Sequence, residues 1–229
     1  MEFLQLLNRI FVQNGAWLTI LKGVWATVQI SALSLVFGTL LGSVICFIRV
    51  GSWPALRLAA KAYIAVLRGS PVLMLLMLFY YGIFAETDLE PLTVAALTFS
   101  LHTSAHVAEL LRASFMALDK GQVEAARTLG FSGLQAFRYI TLPQLSRIAK
   151  PVYQSTIVNL IQWTSVVGYV TITDLTRVIN NTASRTMQPM ITISVGMLIY
   201  IAMAYAVYGL FALWDWKHQG REAADNAHD

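Results

Sequence analysis

Charge is what this 229-residue chain has least of: 12% of its residues are Asp, Glu, Lys or Arg, where soluble globular domains carry about 25%. Set against 57% hydrophobic residues, that scarcity excludes an ordinary water-soluble domain and makes lipid the solvent for most of the chain. Cysteine is nearly absent. Cys46 stands alone, so no intrachain disulfide can form. The pattern G-x-x-x-x-G-K-[ST] occurs nowhere, which excludes a P-loop nucleotide site of the usual kind, and HExxH is missing too. Strand-period alternation is also missing, which argues against a barrel. No nucleic-acid-binding motif accompanies the net charge of +4, whose cations are spread along the flanks of apolar runs.

What the chain does have is five uncharged runs, each read as a helix crossing a hydrocarbon core of about 30 Å. The spans are predicted at about 23–48, 69–85, 91–108, 151–173 and 188–213. An unpaired amide or carbonyl in lipid costs several kcal/mol, and a helix satisfies its own. The second run is short and carries Pro71, so its lower end is expected to borrow residues from the segment before it. Without an internal repeat or a low-complexity linker, residues 1–229 read as one transmembrane domain, all-α, with a cytoplasmic helical loop at about 112–147.

Orientation comes from the basic residues. Arg49, Arg57, Lys61 and Arg68 lie between spans one and two. Arg112, Lys120, Arg127, Arg138, Arg147 and Lys150 lie between spans three and four, and Lys217 and Arg221 lie beyond span five. Twelve of the 16 Lys and Arg thus fall on one side. The other side has Arg9, Lys22, Arg177 and Arg185, with Glu86, Asp88 and Glu90 between spans two and three. The positive-inside rule makes the richer side cytoplasmic, so the N-terminus is expected outside and the C-terminus inside. Span one is too long for a signal h-region and reads as a retained anchor.

Two amphipathic segments flank the spans. Phe3, Leu4, Leu6, Leu7, Ile10 and Phe11 form an apolar stripe at helical spacing, as in an interfacial helix on the outer leaflet. Arg57, Lys61 and Arg68 share a helix face, a basic surface suited to anionic lipid.

The most ordered soluble segment is Glu124 to Pro143, EAARTLGFSGLQAFRYITLP. Ala125, Ala126 and Leu129 occupy one side of a helical turn. Gly130 can take the left-handed conformation that closes a helix. Ser132 with Gln135 three positions on makes a capping box that starts a second helix. That helix is expected to stop before Pro143, which lacks an amide hydrogen.

This pattern resembles the EAA loop of the permease subunits of bacterial ABC importers. Glu124, Ala125, Ala126, Gly130, Ile140, Leu142 and Pro143 all stand at the family's spacings. Residues 67–82, LRGSPVLMLLMLFYYG, resemble the RGTP-led second span of the polar amino acid branch, which transports histidine, arginine, glutamate, glutamine and opines. Ala108, Glu109, Arg112, Lys120, Gly121 and Gln122 match the approach to the loop. Arg147, Ile148, Ala149 and Pro151 match its exit, and Thr164 with Ser165 the family's Thr-Ser pair. The resemblance implies an inner-membrane, multi-pass subunit with no catalytic residue and no cofactor of its own. Its partners would be a cytoplasmic ATPase dimer holding ATP and Mg, a second permease subunit, identical or paralogous, and a periplasmic solute-binding protein that delivers the amino acid.

Span four is polar for a membrane segment. Ser155, Asn159 and Gln162 fall at i, i+4 and i+7, and Thr164, Ser165 and Tyr169 continue the set. Such groups rarely face hydrocarbon. Two roles stay open: a pathway for the polar ends of an amino acid, or interhelical bonds of ~0.6 kcal/mol each. The family often has Lys-Asp where this chain has Gln162-Trp163, and Asn where it has Ser155. Those replacements shift weight toward a partner permease for substrate contact. Asp174, at the outer end of span four, either attracts a substrate cation or caps the following segment, pairing with Arg177.

His102, His106 and Glu109 also fall at i, i+4 and i+7, so a membrane metalloenzyme is the rival from another class, although histidines bonded within a core are the default reading. A permease for another small solute, such as an opine, is the rival within the class. A scaffold without transport is the third, and the polar residues of span four argue against it. Gly38 and Gly42 form a GxxxG, read as close helix packing within the subunit.

Overall fold

A computed structural model describes residues 5, 8–13 and 15–225, and their side chains as far as 216 apart from position 13. Phe3, Leu4, Leu6 and Leu7 of the expected interfacial helix lie outside the described residues, as do the side chains of Lys217 and Arg221. Among the described residues the structure is helical and contains no strand. A π-helical turn at Asn8–Gln13 precedes α1 (Ala16–Val50), α2 (Pro54–Gly69), α3 (Val72–Leu78) with its π turn Phe79–Ile83, and α4 (Pro91–Met116). Then come α5 (Lys120–Thr128), α6 (Gly133–Ala136), a π turn at Phe137–Thr141, α7 (Leu142–Trp163), a 3-10 segment at Thr164–Val170, α8 (Leu175–Thr186) and α9 (Pro189–Asp225).

Among the described residues, two helices are long and apolar enough to cross a membrane unaided. They are α1, with mean hydropathy 2.1, and residues Pro189–Trp216 of α9, with mean hydropathy 2.0. A third crossing is possible if α2 and the Val72–Ile83 stretch count as one broken span. That pair is bent by 105°. Any residues that span two takes from the preceding segment therefore lie across a sharp bend, not on a continuous helix. Ser70 is extended, at φ −91° and ψ 137°, because the ring of Pro71 disfavours helical backbone in the residue before it. The basic helix α2 is therefore turned away from the apolar stretch.

Span four also departs from expectation. Its helix begins earlier, at Leu142, runs through Pro151 and stops at Trp163. A 3-10 segment replaces the last turns, and Thr171 takes a left-handed conformation, φ 67°, that ends the run.

The chain forms two compact units, Ile30–Thr156 and the remainder, Met1–Gln29 with Ile157–Asp229. In the first unit, α1 lies against α4 at its GxxxG. A Cβ on Gly42 would sit 2.7 Å from the Ser104 carbonyl oxygen, and one on Gly38 2.8 Å from the Thr103 Cβ. Only a residue without a side chain allows that approach. The Ser34 hydroxyl donates to the Ala96 carbonyl at 3.2 Å, and Thr39 Oγ1 lies 2.7 Å from the Tyr153 hydroxyl. Helix α2 packs on α4 through two apolar clusters, Cys46, Ile64 and Ala108, and Leu67, Leu75 and Ala105. Tyr63 adds a 2.7 Å hydrogen bond with Ser104.

In the second unit, Ile20, Leu175, Val178 and Ile179 form the core, with Ile199, Tyr200 and Met203 packed on it. Thr176 Oγ1 and the Tyr200 hydroxyl, 2.9 Å apart, join α8 to α9.

Candidate functional site

The segment between α4 and α7 is built from its own caps. Asp119 opens α5 by accepting the Gly121 amide at 2.9 Å. An aspartate ahead of a helical run is a start signal, and it could have placed this helix from sequence. Helix α5 closes as a Schellman motif. The Gly130 amide donates to Arg127 O and the Phe131 amide to Ala126 O, each at 3.1 Å, with Gly130 at φ +91°. The capping box is present in both directions: the Gln135 amide donates to Ser132 Oγ at 3.3 Å, and the Ser132 amide to Gln135 Oε1 at 2.8 Å.

The expected stop at Pro143 does not occur. Helix continues from α6 through the π turn into α7, with the Leu142 amide bonded back to Phe137 O. A π turn shifts bonding by one residue, and the amide that Pro143 lacks falls just past that shift. Gln144 Nε2 donates to Gln122 Oε1 at 2.7 Å, which ties α7 to α5.

Burial in this segment runs against residue type. Ala126 and Ala136 are buried, at 4% and 1% exposure, whereas Leu129 and Leu134 are 80% and 77% exposed. Phe131, Phe137, Tyr139 and Leu142 are exposed as well. Glu124, Ala125, Gly130 and Pro143 lie on the surface, and Ile140 is half-buried. Leaving two leucines unburied forgoes about 1.5–3 kcal/mol each, if water is what they meet. The segment therefore presents an apolar surface on a rigid, hydrogen-bonded support.

Along α7, Ser155, Asn159 and Gln162 are all exposed, at one-turn spacing. Ser155 Oγ returns a 3.2 Å bond to Pro151 O. Thr164 is fully buried and donates to Ile161 O at 2.7 Å, while Ser165 is half-buried. Asp174 is fully buried and N-caps α8, accepting from the Thr176 amide at 3.1 Å and the Arg177 amide at 3.0 Å. Its tie to Arg177 is thus through the backbone. The Arg177 guanidinium donates instead to Gly168 O at 3.1 Å.

Glu109 is bound on both oxygens by Arg112, through Nε at 3.0 Å and through Nη2. Those bonds hold its carboxyl below the usual carboxylate range. His102 and His106 stack with ring centroids 4.8 Å apart. Among the described residues, no three His, Cys, Asp or Glu side chains are arranged to hold a metal ion.

A family model described as the binding-protein-dependent transport system inner membrane component matches residues 34–217. The chain belongs to that family. It is a transport permease and a membrane protein, and its family is one of transporters, not of catalysts. Among curated relatives, the probable amino-acid ABC transporter permease protein YckA of Bacillus subtilis is 36% identical over 157 residues, covering 68% of this chain and 70% of the relative. The L-cystine transport system permease protein TcyL of Bacillus subtilis is 35% identical over 199 residues, 83% of this chain and 80% of the relative. Among solved structures, one of an amino acid ABC transporter with histidines superposes with a TM-score of 0.78 at 28% identity, covering 87% of this chain and 94% of that one.

Proposed function

We propose that this permease is the membrane-spanning subunit of an ATP-driven importer for polar amino acids, and that the Glu124–Pro143 segment couples it to a cytoplasmic ATPase. The observation that carries this reading is the exposed apolar surface of Leu129 and Leu134 on a fully capped support. An apolar surface in water is covered in the working state by protein. Residues Glu124, Ala125, Ala126, Gly130, Ile140, Leu142 and Pro143 supply the docking element. In this reading ATP and Mg sit on the ATPase dimer, and the permease chain carries no cofactor and hydrolyses nothing.

The distribution of Lys and Arg supports five spans with the N-terminus outside and the docking segment and C-terminus inside the bacterial inner membrane. Exposed Ser155, Asn159 and Gln162 on a membrane helix support a polar surface that closes against a second permease subunit and serves the solute. Thr164, Ser165 and Asp174 shape its outer end. A periplasmic solute-binding protein delivers the amino acid in this scheme, and the amino-acid permeases among the relatives support that class of cargo.

Two variants test coupling. Glu124→Lys and Gly130→Asp should abolish amino acid uptake while the chain still reaches the membrane at normal levels. Uptake and ATPase co-purification at wild-type levels in both would refute the docking role.

A further inference from the structure

The end of α1 and the start of α2 enclose an open cleft of about 380 Å³, lined by Arg49, Pro54, Arg57, Leu58 and Lys61. Three of these five residues are cations and none is acidic. The local fold forces them together. Helix α1 ends at Val50, where the Gly51 amide bonds back to Phe47 O at 3.0 Å, and extended Trp53 followed by Pro54 restarts helix at once. Arg49 is thereby set beside Arg57 and Lys61, themselves one turn apart on α2. Like charges so placed repel, and a bound anion relieves that repulsion. Glu109, whose carboxyl feels the field of Arg49, is already engaged by Arg112.

The surroundings say which anion. Arg49 is in the last turn of an apolar helix long enough to span the bilayer, so the cleft lies where hydrocarbon gives way to headgroups. Trp53 is 74% exposed beside it, in the manner of an interfacial anchor. Helix α2 buries Ala60, Ile64 and Leu67 and exposes Leu58 and Val66, with the basic stripe between the two faces. Such a helix lies in the membrane interface. Free phosphate would match the cations but leave Trp53, Leu58 and Val66 in water. A phospholipid satisfies both: its phosphate takes the charge-assisted bonds, and its acyl chains cover the apolar face.

We infer that the Arg49, Arg57 and Lys61 cleft binds the phosphate of one anionic phospholipid at the membrane surface. This rests on α1 as a membrane span and is independent of the coupling role of the Glu124–Pro143 segment. The full chain, reconstituted in phosphatidylcholine vesicles with trace spin-labelled phosphatidylglycerol, should immobilise that label more than spin-labelled phosphatidylcholine. Each cation near the surface contributes roughly fivefold to anionic-lipid preference, so Arg57→Gln with Lys61→Gln should lower the preference at least about tenfold. Arg49→Gln, from the other helix, should lower it by roughly fivefold. Arg57→Lys and the charge-matched pair Arg127→Gln with Arg138→Gln should keep it. Millimolar inorganic phosphate should leave it intact, and displacement by phosphate would mark a free-anion site and overturn the lipid assignment. Equal immobilisation of both labels by the wild type, or loss of preference in the Arg127/Arg138 pair, would overturn it too.

Discussion

Helix α4 and the Glu124–Pro143 segment sort their side chains in opposite ways. Helix α4 buries Thr98, Ser100, Thr103 and Ser104 and exposes Leu97, whereas the segment buries alanines and exposes leucines. In α4 the hydroxyls of Thr98, Ser100 and Ser114 return to carbonyls one turn back at 2.6–2.9 Å, so small polar residues are inexpensive to bury and permit close helix approach. In the proposed five-span topology its exposed leucine needs only lipid. In the same topology the segment lies on the cytoplasmic side, away from the bilayer, so its leucines need a protein. In that reading the same exposure has two meanings, set by the solvent each region meets.

The largest effect should come from breaking the α4 side of this contrast. Gly42→Leu puts a side chain where the Ser104 carbonyl oxygen and the Val107 Cβ lie 2.7 and 2.8 Å from a Cβ. Backbone cannot yield as a rotamer can, so the variant should fail to accumulate in membranes, read by quantitative blotting.

A smaller loss tests one buried polar group that is satisfied internally. Asp174→Ala orphans the Thr176 and Arg177 amides and should cost about 2 kcal/mol in detergent-solubilised unfolding, with Asp174→Asn recovering most of it. Equal losses in both variants would mean that the carboxylate charge, not the cap, is what matters.

How legible each feature is in the sequence depends on how local its determinant is. The Ser132–Gln135 capping box and the left-handed Gly130 are short-range chemistry, and both are formed as the spacing predicts. Pro143 misleads because the π turn before it, a backbone adjustment without a residue signature, absorbs the missing amide. Pro71 is plain in the sequence, but a proline marks a break without giving its angle, here 105°. The one-face spacing of Ser155, Asn159 and Gln162 is plain from helix periodicity, and their exposure is not. The reversal of burial in the Glu124–Pro143 segment is equally hidden, since composition names the leucines without saying which way they point.

The most direct test of that reversal uses Leu129→Ser with Leu134→Ser in the full chain, expressed beside its ATPase. Surface changes of this kind usually alter stability within about 0.5 kcal/mol, so membrane level and thermal midpoint should hold. Co-purified ATPase should fall at least tenfold. Undiminished ATPase, with uptake intact, would contradict the claim that these leucines are a docking surface.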